Sequence, residues 1–131
     1  MVYLWIALGS ALGGVGRYWC SGFAAHHFGE TFPWGTIFVN VVGSFVIGFV
    51  ATLTGPDGRV LMASEARQFI MLGVCGGFTT FSSFSLQTLN LVRDGEWWQA
   101  GGNIGLSVVA CLVAVWLGHI AAASMNQLKG A

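Results

Sequence analysis

From Gly73 to Gln87 the chain reads GVCGGFTTFSSFSLQ. This run sits inside a long apolar segment, yet it holds three glycines, five hydroxyl residues and three phenylalanines. Gly76-Gly77 followed by Thr79-Thr80 is poor helix-forming sequence. At membrane depth, non-helical backbone survives only where protein or a water-filled cavity satisfies the freed groups. A break here leaves carbonyl oxygens without intrahelical partners, and such oxygens are hard ligands suited to a cation. Past the break, Ser82, Ser83 and Ser85 supply hydroxyl donors, while Phe81 and Phe84, three apart, share one helix face. An aromatic ring has a positive edge and a negative face, so rings presented edge-on contact an anion without carrying charge. Phenylalanine pairs are in general more often core packing. The density of features in fifteen residues is what points to an ion path.

The elements that must position these groups lie in an apolar chain. Hydrophobic residues make up 55% of it and charged residues 8%, against the roughly 25% of charged residues usual in soluble domains. Mean hydropathy is +0.73. With 131 residues, one all-α integral membrane domain is expected. Four segments, about 2–23, 33–54, 66–92 and 98–123, reach the roughly 20 residues that a bilayer-spanning helix needs. Pro33 suits a first helical turn, TGPDGR at Thr54–Arg59 is a turn, and Ser64 is a candidate cap for the third helix. Trp97 and Trp98 suit an interfacial anchor, as do Trp5 and Trp34, and lipid-facing bulk fits each of them singly as well. No cleavable signal peptide is expected, because the N-terminal apolar stretch lacks a basic region before it and continues into glycine-rich sequence.

Other polar groups at membrane depth are few, and such groups usually face protein or water. Asn40 is the candidate in the second segment, although a lone asparagine there more often ties helices together. Asn103, Ser107 and Cys111 recur every four residues and form one stripe on the fourth segment, which serves equally as a polar track or a packing seam. Small-residue pairs at the same spacing, Gly9/Gly13, Ser44/Gly48, Gly73/Gly77 and Gly101/Gly105, allow close helix approach.

Net charge is zero, so no basic surface suggests nucleic acid. Catalysis finds little support. His26 and His27 are expected in the first loop and His119 near the end of the fourth segment. The acids Glu30, Asp57, Glu65, Asp94 and Glu96 fall in loops or at helix ends, and no HExxH or phosphate loop is present. Cys20, Cys75 and Cys111 are odd in number and lack metal-ligand spacing. An ion path without buried acids points away from proton coupling and towards a channel. Four spans place Arg59, Arg67 and Lys129 on one side and Arg17 and Arg93 on the other. A lysine/arginine excess normally sets orientation, and three against two is almost none. Insertion both ways round, giving an antiparallel dimer, and a weak single preference both fit that count.

The run GVCGGFTTFSSFS closely resembles the Fluc/CrcB family of bacterial fluoride channels. GSALGGVGRY at Gly9–Tyr18, GTIFVNVVGSFVIG at Gly35–Gly48 and LSVVACLVAVWLG at Leu106–Gly118 extend the resemblance to all four segments. It implies four-helix subunits with a broken third helix, forming dual-topology antiparallel homodimers with two fluoride pores in the bacterial inner membrane. Fluoride would pass out of the cytoplasm passively, down its gradient. Phe81 and Phe84 would be the pore phenylalanines and Asn40 the asparagine that orients them. Thr80, Ser82 and Ser83 would give hydroxyls near the pore, and Ser107 would belong to a polar track. Gly76 and Thr79 would lend carbonyls to a structural sodium ion on the dimer axis. Arg17 would stand near the pore mouth. Gln87 departs from the family pattern, which commonly has glutamate there and is linked with passage of fluoride. The alternative is a proton-coupled small four-helix exporter, which needs a membrane carboxylate that the first segment lacks.

Overall fold

The computed structural model describes residues 1–129; the side chain of Lys129, counted above among the loop charges, lies outside the described part. The described chain is helical throughout, with no strand. Helix α1 spans Val2–Phe28, α2 Trp34–Leu53 and α6 Trp97–Lys129. Between α2 and α6 the third span is assembled from pieces: α3 (Ser64–Gln68), a π-helical stretch (Phe69–Cys75), the single turn α4 (Gly76–Phe78) and, after two extended residues, α5 (Phe81–Arg93). Three of the four spans are both long and apolar enough to cross a bilayer: Trp34–Leu53, Ser64–Arg93 and Trp97–Leu128. At 27 residues α1 has the length, but Gly9, Ser10, Gly13, Gly14, Gly16, Arg17 and Ser21 dilute its apolar character.

Three boundaries differ from the sequence reading, one of them the end of α6, which runs to Lys129, six residues beyond Ala123. Helix α1 continues five residues past Phe23, so His26 and His27 stand in its last turn and not in the loop. The Phe23 and His27 rings, one turn apart, meet with centroids 4.2 Å apart and planes tilted by 45°, which extends the helical face. The helix ends at Gly29, whose positive φ of 84° stops it. Ser64 lies inside α3 and caps nothing; Ala63 takes the N-cap position, with no side-chain bond.

Glycines set the packing. A Cβ on Gly73 would sit 2.9 Å from the Gly9 Cα, and one on Gly77 2.9 Å from the Ser10 Cα. The Gly9/Gly13 and Gly73/Gly77 pairs therefore face each other within the subunit and bring α1 against the π-helical stretch and α4, backbone to backbone. Gly48 and Gly118 do the same between α2 and α6, meeting the backbone at Val115 and Phe45. By contrast nothing lies within 4 Å of a Cβ built on Gly101 or Gly105. The fourth small-residue pair faces outward on α6.

Candidate functional site

Thr79 and Thr80 make the break. Both are extended, with φ/ψ of −88°/157° and −154°/117°. Each threonine finishes one half of the span. The Thr79 amide and hydroxyl both donate to the Cys75 carbonyl, at 3.0 and 2.9 Å, closing the first half. The Thr80 hydroxyl accepts the Ser83 amide at 3.1 Å and so caps α5. An N-cap side chain satisfies one of the orphan donors of the first turn.

The backbone of Thr80 itself is held by α2. The Asn40 side chain donates to the Thr80 carbonyl at 3.0 Å and accepts the Thr80 amide at 2.7 Å. In an unbroken helix that amide would have served the Gly76 carbonyl. One turn on from Asn40, Gly43 leaves room for the Thr79 side chain: a Cβ there would collide with the threonine methyl. Arg17 of α1 donates from Nε to the Gly77 carbonyl at 3.1 Å. Its charge thus secures the first half of the break.

A cleft of about 400 Å³ opens at this point. Asn40, Gly43 and Ser44 of α2 line one side, and Gly76, Thr79, Thr80, Phe81 and Phe84 line the break side. Ser107 and Cys111 line it from α6. The Phe81 and Phe84 ring centroids are 5.3 Å apart at an interplanar angle of 47°. Phe81 is 77% exposed on the subunit, a large apolar side chain presented at the cleft edge. The cleft combines apolar walls with a few convergent polar groups, the usual make-up of a small-ligand site.

The fold gathers most of the residues singled out from sequence, but not all. Asn40, Gly76, Thr79, Thr80, Phe81, Phe84 and Ser107 share the cleft. Ser82 stands exposed beside it, its Oγ 3.3 Å from the Thr80 hydroxyl. Ser83 contributes its amide to the cap. Arg17 does not line the cleft. Gln87 lines a second cavity of about 260 Å³ with Ser21, Glu30, Trp34 and Thr36, and its Oε1 is buried without a partner.

The stripe on α6 divides. Ser107 and Cys111 line the cleft, whereas Asn103 is fully buried. Asn103 donates to the Thr88 hydroxyl at 2.9 Å, and Thr88 in turn donates to the Phe84 carbonyl at 2.8 Å. The Ser107 hydroxyl donates to the Asn103 side chain at 3.2 Å. A buried chain thus ties the Phe84 backbone on α5 to Ser107 on α6. Thr88 was missed in the sequence; its place one turn past Phe84 was the available signal. Ser44 and Cys75 also line the cleft unforeseen.

Comparison with known proteins bears on the family of the chain. Residues 4–119 match the family model described as CrcB-like protein, Camphor Resistance (CrcB). A protein of Opitutus terrae named fluoride-specific ion channel FluC is 69% identical over 129 residues, covering 98% of each chain. Proteins of the same name from Methylocella silvestris and Rhodospirillum rubrum are 63% identical over 131 residues and 58% identical over 127. The first of these covers 100% of both chains; the second covers 97% of this chain and 98% of its own. With a family model and full-length relatives in agreement, the chain belongs to the CrcB-like family.

Proposed function

We propose that this multi-pass membrane protein is one subunit of a fluoride-selective channel and not an enzyme. The observation that carries this reading is the cleft at the helix break, where the two phenylalanine rings meet the Asn40 clasp, Thr80 and Ser107. Fluoride is small and strongly hydrated, so a path must replace its water with donors. Asn40 has one amide hydrogen beyond the bond to Thr80 to offer. Thr80, Ser82, Ser83 and Ser107 are the hydroxyls of the path, and the edges of Phe81 and Phe84 complete it without a fixed positive charge. Ser107 donates to Asn103, so its hydroxyl must rotate to serve an anion. Arg17 and Gln87 are assigned to the mouths, where the Arg17 charge raises the local anion concentration.

Two copies in antiparallel arrangement would give two such paths. The exposed Phe81 ring and the bare Gly101/Gly105 face of α6 support a partner subunit. The donors present suit a structural sodium ion. The Gly76 carbonyl has lost its intrahelical amide to Asn40, and carbonyl oxygens are the hard ligands such a cation takes. Sodium held by Gly76 and Thr79 of both subunits would fix the two breaks against each other. The setting we assign is the bacterial inner membrane, with fluoride leaving the cytoplasm passively down its electrochemical gradient. No acid lines the cleft, which removes the group a proton-coupled exporter would use.

Fluoride-electrode efflux from vesicles reconstituted with the purified chain tests this. Efflux well above that of empty vesicles, with chloride retained, is the expected result. Equal chloride efflux, or none of fluoride, rejects the reading, and transport driven by a pH gradient would restore the exporter.

A further inference from the structure

Two of the three cysteines open onto the same cleft. Cys75, at the end of the π-helical stretch, is 4% exposed, and Cys111 reaches the cleft from α6; both are free thiols. Cys20, on α1, is not among the cleft-lining residues. The proposed fluoride path needs neither sulfur. We propose that Cys75 and Cys111 make this cleft a binding site for soft, thiol-seeking metal cations, with silver(I) as the probe, and that occupancy closes the path.

Several features of the cleft select for such an ion. Thiolates bind soft metals in preference to the hard cations that carbonyls and hydroxyls take. The sulfurs and the carbonyls of the break therefore do not compete for the same metal. Phe81 and Phe84 line the same space, and the face of an aromatic ring attracts a cation as its edge attracts an anion. The chemistry is coordination alone: each ligating thiol gives up its proton to water, and the silver stays in its oxidation state. A silver ion held by two thiolates carries a net negative charge, which opposes an anion on the same route as well as filling the space.

The inference about closure rests on the channel reading, whereas the binding site does not, so the test reads both separately. The full chain with Cys20→Ser would be prepared in nitrate buffer, because silver chloride precipitates. Metal bound per chain would be counted by native mass spectrometry and fluoride efflux measured from vesicles. The expected result is a single tightly bound silver per chain. Its affinity should fall by about tenfold or more when Cys111→Ser or Cys75→Ser is added, as loss of one of two soft ligands implies. Silver should block efflux of the Cys20→Ser protein but not of the Cys20→Ser/Cys111→Ser protein, each compared with its own silver-free rate. Should Cys75→Ser fail to fold, the Cys111→Ser comparison decides. Unchanged silver affinity in the Cys111→Ser variant overturns the site. Silver binding that leaves a fluoride-conducting protein unblocked overturns the closure. Silver binding in a chain that never conducts upholds the site while rejecting the channel.

Discussion

Asn40 grips Thr80 by both ends of one peptide residue: its amide nitrogen donates to the Thr80 carbonyl at 3.0 Å and its oxygen accepts the Thr80 amide at 2.7 Å. The side chain stands in for a missing helical turn. No other residue type of similar size offers a donor and an acceptor from one planar group at this reach. Asn40→Leu keeps the bulk and removes both bonds. Leaving a donor and an acceptor unpaired costs about 1–3 kcal/mol each, so the variant should unfold in detergent at a clearly lower temperature than the native protein. Fluoride efflux should fall with it. An unchanged melting temperature would remove Asn40 from the structural account.

The two threonines of the break do unequal work. Thr80→Val deletes the cap of α5, a loss worth about 1 kcal/mol. Thr79→Val deletes a hydroxyl bond to the Cys75 carbonyl, which still receives the Thr79 amide, so the loss is nearer about 0.5 kcal/mol. Thermal unfolding should therefore rank native, Thr79→Val and Thr80→Val in falling order. The reverse order for the two variants would show that the cap is not what starts α5.

Glycine positions separate subunit packing from assembly. On Gly13 a Cβ would run into the Val74 carbonyl, with the Phe78 amide nitrogen 2.8 Å away. Rigid backbone cannot yield there, so Gly13→Ala should abolish the monodisperse peak in size-exclusion chromatography. Gly101→Ala meets nothing within 4 Å in the subunit. It should leave the helical content intact, and any effect it has should appear only as a change of elution volume, as the proposed dimer requires.

Much of this was legible in the sequence. The break itself was, because Gly-Gly followed by Thr-Thr inside an apolar segment contradicts its surroundings. The grouping of Asn40 with Phe81, Phe84 and Ser107 was not available from spacing and came through the family resemblance; the fold brings them to one cleft. Hydropathy could not find the π-helical stretch, since an extra residue in a turn leaves the apolar pattern almost unchanged. The separate fates of Asn103 and Ser107 were equally hidden. A four-residue period puts both on one helix face, and only the position of Thr88 on α5 decides that Asn103 is a buried tie while Ser107 reaches the cleft. The extension of α1 through His26 and His27 was missed because polar histidines just before Phe28-Gly29 look like a loop until their ring contacts are seen.

Phe81 offers a clean division between fold and conduction. It is 77% exposed on the subunit, so its ring contributes little to subunit folding. Phe81→Ile should leave the melting temperature within a few degrees and the elution volume in size-exclusion chromatography unchanged. Efflux of fluoride should drop by an order of magnitude or more, because an aliphatic side chain has no positive edge to offer an anion. Retained efflux would exclude the ring from the path.

Gln87 makes the opposite division. Its Oε1 is buried and accepts no hydrogen bond from the described residues, so removing that oxygen breaks no bond within the protein. Gln87→Leu fills the same space without that oxygen. The variant should be at least as stable as the native protein. If Gln87 serves the mouth through its amide donors, efflux should nevertheless fall, since leucine has no hydrogen to give a passing anion. A stability gain together with a flux loss would mark Gln87 as a residue kept for transport at the expense of packing. A stability gain with flux unchanged would instead take the second cavity off the fluoride route.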